Sequence, residues 1–190
     1  MDTWQPYLIL GIGNCLLSDD GTGAHAARML QAEPPSETTV LAIETDFLIA
    51  IPFLERCAKV LVIDAMDVGQ LPGTLYYYRG QNLAQTVQRH SLHGLGLLGV
   101  LEFLNEKHRP EVHILGVQPG KTGFGLQLSL EVDSVLPQIV DAARRIIGEF
   151  KRLPPSDSRS DVSREQVAGI SGATAEVPPA TIDEGVIRPL

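Results

Sequence analysis

Residues 8–23 read LILGIGNCLLSDDGTG and join an apolar run to a helix-favouring segment through a loop rich in glycine and carboxylate. Gly11 and Gly13 allow a sharp turn or a close approach of the backbone to another group. Asp19 and Asp20 place two acceptors just before the helix, where aspartate is a preferred N-cap. Since one cap needs only one aspartate, we expect one of the two to support the helix start. The other should face a crevice as a ligand or catalytic group.

Strand-like and helix-like segments alternate along the chain. Short apolar runs predict strands at 7–10, 38–43, 60–63, 74–78 and 112–117. Apolar residues at three- and four-residue spacing predict helices at 22–32, 45–54, 93–104 and 129–151. Pro137 is expected to kink the last helix or to delay its start. Leu95 is expected on the buried face of the helix at 93–104, and residues 81–92 read as polar and irregular.

This alternation predicts an α/β fold in three layers, a mainly parallel, twisted sheet of about five strands with helices on both faces. Residues 74–78 are expected to form an antiparallel edge strand. A single domain is predicted over residues 1–152. Beyond it the hydrophobic periodicity stops, so residues 153–190 are expected to form a disordered tail.

The composition of the chain argues against some classes of binding partner. The chain has 190 residues, 44% of them hydrophobic, and its formal net charge is −8, which is unsuited to nucleic-acid phosphates or an anionic membrane surface. Its two cysteines favour a reducing compartment. No run approaches the roughly 20 apolar residues that span a bilayer, and the first residues lack the features of a signal peptide. We therefore expect a cytoplasmic protein that neither binds nucleic acid nor inserts into membranes.

The carboxyl ends of the parallel strands define where a site is expected. Sites in open α/β sheets lie outside these ends, so loops 11–20, 44–46 and 118–125 should share one crevice with Asp64. Asp64 follows four apolar residues, where an unpaired carboxylate is costly, so it is either a ligand or part of a structural turn. His93 begins a predicted helix and could reach the crevice, with His90 as a competing neighbour. Two carboxylates and an imidazole suit a metal ion that keeps open positions for water or substrate.

Other catalytic schemes fit the sequence less well. Residues 11–16 match only the first two glycines of a dinucleotide-binding G-x-G-x-x-G motif, and two acids would repel a pyrophosphate. No serine or cysteine lies in a nucleophile elbow, and there is no H-E-x-x-H motif. Asp67 lies in a more polar setting than Asp64 and is expected to be structural. Metal or water chemistry is therefore favoured over covalent catalysis.

Four short motifs occur in one order across roughly residues 7–150. They are Gly11-x-Gly13-Asn14-x-Leu16-x-x-Asp19-Asp20-Gly21-x-Gly23, Val62-Ile63-Asp64-Ala65 followed by Pro72-Gly73, Ser91-x-His93 followed by Gly96-Leu97, and Gly116-Val117-Gln118-Pro119. With these motifs the chain resembles the family of endopeptidases that mature the large subunit of nickel–iron hydrogenases. Each motif alone is unspecific, whereas four in register are specific.

The resemblance implies both a site and a substrate. In that family the second acid of the pair, the strand-end aspartate and the histidine bind nickel, which makes Asp20, Asp64 and His93 the predicted catalytic and metal-binding residues. Asp19 is then left to support the helix start. The implied substrate is a hydrogenase large-subunit precursor already loaded with nickel, from which a C-terminal extension is removed just beyond the last metal-binding cysteine motif. The nickel is supplied by the precursor, no organic cofactor is expected, and the protein is expected to be a monomer.

Several alternatives stay open at this point. Many family members carry Gly-Gly-Thr or Gly-Gly-Ser after the second strand, whereas this chain has Ile43-Glu44-Thr45-Asp46. Nickel could polarise the scissile carbonyl or lower the pKa of a bound water, or it could only position the precursor while a carboxylate assists water. The competing functions are a metal-dependent docking or chaperone protein that does not cleave its metalloenzyme precursor, and a nucleotide-binding enzyme.

Overall fold

The computed structural model describes residues 5–79, 83–91 and 93–152. Its sheet has five strands in the order β2-β1-β3-β5-β4. The pairs β1–β2, β1–β3 and β3–β5 are parallel, and β4 lies antiparallel to β5 at the edge. The predicted sheet and its antiparallel edge strand are therefore confirmed. The strands are β1 (Tyr7–Ile12), β2 (Thr38–Glu44), β3 (Lys59–Ala65), β4 (Leu75–Arg79) and β5 (Glu111–Val117).

Helices cover both faces of this sheet. One core contains Ala27 and Leu30 from the first helix and Ile139 from the last. The core on the other face contains Leu54 and Leu97 from the helices between them. The three-layer prediction is thus confirmed. The helices are α1 (Thr22–Ala32), α2 (Ile51–Leu54), α3 (Leu83–His90), α4 (Gly94–Phe103) and α5 (Leu130–Arg152).

Two glycines let α1 lie directly against the sheet. A Cβ atom at Gly23 would lie 2.0 Å from the carbonyl oxygen of Ile63, and one at Gly11 would lie 2.1 Å from the carbonyl oxygen of Gly23. Real side chains do not occupy such positions, so both glycines are required for this close approach. The contact fixes the start of α1 beside the carboxyl ends of β1 and β3.

Three details of the helix prediction are wrong. Residues 83–90 form α3 rather than an irregular segment, because a helix of eight mostly polar residues offers few apolar positions, such as the buried Val87, from which a pattern can be read. Leu95 is 74% exposed, since α4 packs through Leu97 and Val100 instead. The predicted helix at 45–54 is a 3-10 turn at 47–50 followed by the short α2. The last helix, α5, begins at Leu130 close to the predicted start, so Pro137 does not delay it, and the alternative of a kink stays a prediction.

The predicted tail, residues 153–190, lies outside the described residues, and the domain boundary at 152 stays a prediction. None of the helices in the described part of the chain has the length and apolar character that crossing a bilayer requires.

Candidate active site

The strand order creates a crevice at the carboxyl ends of β1 and β3. From β1 the chain passes through α1 to β2 on one side, and it returns through α2 to β3 on the other side of β1. The chain leaves β1 for α1 on one face, whereas Met66, directly after β3, packs in the core of the other face, so the loops that follow β1 and β3 diverge there. Such a switch point is the usual ligand site of an open parallel sheet. Residues 13–20 follow β1 at this point, and Asp64 lies near the end of β3.

The two predicted carboxylates are buried and held by local donors. Asp20 lies in the 3-10 turn Ser18–Gly21, and the backbone N–H of Asn14 donates to its Oδ2 at 2.9 Å. Asp64 is 2% exposed, and the Ser91 hydroxyl donates to its Oδ2. Ser91 also accepts a hydrogen bond from the backbone N–H of His93 at 3.1 Å, so it joins the end of β3 to the start of α4. This link was missed at the sequence level, although Ser91 belongs to one of the quoted motifs.

His93 lies between these two carboxylates. Its Nε2 is 3.2 Å from Asp20 Oδ2, and its Nδ1 is 3.5 Å from Asp64 Oδ1. Burial disfavours the charged imidazole, but hydrogen bonding and charge from Asp20 and Asp64 outweigh burial and raise the pKa of His93 to about 9. The structure therefore brings the three predicted site residues together, and we call them the Asp–His–Asp cluster.

The donor atoms of this cluster are of the kinds that bind a metal ion. Asp20 Oδ1, Asp64 Oδ1 and His93 Nδ1 are buried atoms without a hydrogen-bond partner. Two carboxylate oxygens and an imidazole nitrogen are suitable ligands for a borderline divalent metal such as nickel. Within residues 5–79, 83–91 and 93–152, however, no three such side chains already surround a metal position. The imidazole fills the space between the carboxylates, so metal binding requires the three side chains to rearrange.

Asp19 does not cap α1, which corrects the role expected from the sequence. The N-cap residue of α1 is Gly21, without a side-chain hydrogen bond. The buried Asp19 carboxylate instead accepts hydrogen bonds from the backbone N–H groups of Gly120 and Lys121, both at 2.8 Å. It also accepts from the N–H and the hydroxyl of Ser129, at 2.6 and 2.7 Å. Asp19 therefore anchors the segment between β5 and α5.

Asp67 and Gln118 shape the loop that follows β3. Gln118 Oε1 accepts hydrogen bonds from the N–H groups of Val68 and Gln70, and its Nε2 donates to Asp67 Oδ1. The structural role predicted for Asp67 is therefore confirmed. His90 contacts the backbone oxygen of Asp67 through Nδ1 and lies outside the Asp–His–Asp cluster. Gln118 was missed as an organising residue because its partners lie far away in the sequence.

The end of β2 holds a residue other than glycine in a conformation that favours glycine. Glu44 has a φ angle of 51°, a left-handed conformation that favours glycine. Its carboxylate forms an ion pair with Arg28, whose guanidinium also donates to Cys15 Sγ at 3.2 Å. The carbonyl oxygen of Glu44 accepts from the N–H of Gly13 at 3.0 Å. These contacts hold a non-glycine residue in a glycine-like conformation at the crevice.

Comparison with known proteins identifies the family. The model of the family described as hydrogenase maturation protease matches residues 25–146. The chain belongs to this family. This maturation protease is 30% identical over 149 residues to the hydrogenase expression/formation protein HupD of Rhizobium leguminosarum bv. viciae, covering 74% of this chain and 73% of that protein. The resemblance drawn from the four motifs is thereby confirmed.

Two solved structures support the fold of this maturation protease. The NiFe hydrogenase maturation protease HybD from Thermococcus kodakarensis is 28% identical, with a TM-score of 0.65 over 74% of this chain and 97% of that chain. The hydrogenase maturating endopeptidase HybD from E. coli is 21% identical and shares the fold, with a TM-score of 0.68 over 78% and 93%. The predicted class, a hydrolase of peptide bonds, is confirmed by the family. The individual site residues stay predictions.

Proposed function

We propose that this protease removes a C-terminal extension from the nickel-loaded precursor of a nickel–iron hydrogenase large subunit. The observation that carries the proposal is the Asp–His–Asp cluster, in which three distant segments bring two buried carboxylates and an imidazole into contact at the switch point. Its relatives include hydrogenase maturation proteases and a hydrogenase expression/formation protein, which supports a hydrogenase precursor as the class of substrate.

In this proposal nickel arrives as part of the substrate. Asp20, Asp64 and His93 complete its coordination, and the ion can then polarise the scissile carbonyl or position the precursor. Asn14 and Ser91 each hold Oδ2 of one carboxylate, so the ion would be met by Oδ1 of Asp20 and by Oδ1 of Asp64, the latter after it releases His93 Nδ1. A carboxylate of the cluster can also accept a proton from the attacking water. No organic cofactor and no second copy of the chain is required.

The test mixes the purified protein with nickel-loaded precursor and follows the mass of the precursor. Asp20→Asn, Asp64→Asn and His93→Ala should each slow cleavage at least about 100-fold, because even changes around metal ligands typically cost 10–100-fold. Asp141→Asn and His108→Ala are matched controls, since both side chains are exposed and lie outside the cluster. Normal processing by all three cluster variants would contradict the site assignment.

Two further measurements separate the competing schemes. Complex formation with loaded precursor without any shortening would favour the docking or chaperone function over proteolysis. Protein purified without added metal should contain no stoichiometric nickel, because the substrate supplies the ion. A tightly bound metal in such a preparation would contradict delivery by the precursor.

A further inference from the structure

The segment between β5 and α5 exposes an unusual set of large apolar side chains. Phe124 is 80% exposed, Leu126 68% and Leu130 85%. Gly125 pairs with Leu17 and exchanges backbone hydrogen bonds with Ser18 and Leu16, at 2.8 and 2.9 Å, which brings the 53%-exposed Leu16 alongside. Apolar residues grouped in this way commonly mark an interaction site. The Phe124 surface consists of Leu16, Phe124, Leu126 and Leu130.

This surface is held in place from its base. The Asp19 carboxylate binds the backbone at Gly120 and Lys121 on one side of the loop and at Ser129 on the other. Both ends of the loop are thus tied to a single buried side chain. Exposure of Phe124 is therefore a feature of an anchored loop, and a partner that binds there need not spend free energy on ordering the loop.

A groove continues the surface between α1 and the start of α5. Its volume is about 410 Å³, within the range of small-molecule and peptide-side-chain pockets. Leucines dominate its lining, and one ionisable residue from each helix, His25 and Asp133, completes the wall. The leucines are Leu126, Leu128, Leu130 and Leu136.

We propose that the Phe124 surface and this groove dock an apolar segment of the hydrogenase large-subunit precursor. The inference rests on the proposed function. Asp19 anchors the loop and Asp20 belongs to the Asp–His–Asp cluster, and consecutive Cα atoms lie about 3.8 Å apart. The loop also pairs through Gly125 with Leu17 and Ser18, just before Asp20, so a polypeptide whose nickel reaches the cluster has the loop within its reach. Residues 120–130 carry one charged residue, Lys121, and the groove adds only Asp133 and His25 to its leucines, so the contact calls for apolar groups on the precursor rather than a charged patch.

The experiment compares Phe124→Ser with Phe103→Ser in cleavage of nickel-loaded precursor. Phe103 is a matched control because it is 81% exposed but lies at the end of α4, on the other face of the sheet. Phe124→Ser should raise KM about tenfold or more while kcat stays near the wild-type value, the pattern expected when docking contacts are lost. Phe103→Ser should leave both parameters unchanged.

A second variant controls for the possibility that Phe124→Ser only disturbs local folding. Leu130→Ser should raise KM in the same direction, with thermal unfolding of both variants close to wild type. Unchanged KM in Phe124→Ser and Leu130→Ser would overturn the proposal. It would also be overturned by a concentration-dependent dimer that Phe124→Ser dissociates, since a second copy would then cover the surface.

The readout also separates this inference from the proposed function. If wild-type protein binds the loaded precursor without cutting it, the proteolytic function fails, and the docking proposal is then judged by the dissociation constant. Weaker binding by Phe124→Ser, with Phe103→Ser unchanged, would support docking in that case. Equal binding by wild type and both variants would overturn docking.

Discussion

Two consecutive aspartates show how far neighbouring side chains can diverge in role. Asp19 and Asp20 are both fully buried. Asp20 contacts His93 in the cluster, whereas Asp19 contacts residues on a segment about 100 positions further along the chain. The sequence correctly predicts that the two acids divide their roles. It does not predict what Asp19 binds, because no local pattern reports such a distant contact.

Replacing Asp19 tests its anchoring role. In Asp19→Asn an amide NH₂ group replaces one carboxylate oxygen and faces backbone donors that it cannot satisfy. The free energy of unfolding in urea should fall by about 1–3 kcal/mol, the usual cost of leaving buried donors unpaired. Asp141→Asn on the exposed face of α5 should stay within about 0.5 kcal/mol of wild type. Equal stability of the two variants would show that Asp19 does not anchor the loop.

At the scale of elements, packing of α1 depends on the absence of side chains at two positions. The predicted strands are accurate because buried parallel strands form continuous apolar runs. The limits of α1 are also as predicted, since Pro34-Pro35 follows it closely. By contrast, α3 was missed because it is short and mostly polar. The wrong face of α4 was predicted to be buried, because this helix is rich in leucine and glycine and lacks a clear apolar stripe.

Alanine substitutions at two glycines should have opposite effects on stability. Gly23→Ala places a methyl group against the carbonyl oxygen of Ile63 and should destabilise the fold by about 3 kcal/mol, the upper part of the usual overpacking range. Gly99→Ala lies in α4 with open space around the new methyl group, and it should stabilise by about 0.5–1 kcal/mol. Urea unfolding measures both. A mild effect at Gly23 would mean that α1 can move away from the sheet.

At the scale of the whole molecule, the fold follows from the alternation of strands and helices, and the position of the site follows from the carboxyl-end rule. The choice of Asp20, Asp64 and His93 needed the family resemblance in addition, because the residues alone left Asp64 and His93 open to structural roles. Loop contacts such as those of Gln118 and Ser91 were beyond prediction. They join segments that become neighbours only after the sheet has formed.

Stability of the molecule should decrease as the pH falls below about 6.5, in part through His113. Burial lowers the pKa of His113 below its ordinary value of 6.5, with further lowering from Lys59 and Arg79 and opposition from Glu111. Its Nδ1 lies 2.6 Å from the hydroxyl of Tyr77. His113 therefore binds a proton more readily in the unfolded chain than in the folded chain. Its contribution to the free energy of unfolding is complete above the pKa that His113 has in the unfolded chain, and it is lost as the pH falls.

His113→Gln should flatten this pH dependence between about pH 7 and about pH 5. Burial also lowers the pKa of His25, so the stability curve of His113→Gln should keep a smaller slope of the same sign. His93 has a raised pKa and so contributes stability that is lost above pH 6.5 instead. The measurement is the free energy of unfolding in urea as a function of pH. Parallel curves for wild type and His113→Gln would exclude a contribution from His113.

The Asp–His–Asp cluster draws one residue from each of three segments that are far apart in the chain: the turn after β1, the end of β3 and the residue before α4. Its ligands therefore meet only when the sheet is complete. An emerging or unfolded chain does not hold these three side chains together. In the function proposed above, folding thus determines when during its life the protease can receive the nickel of its precursor.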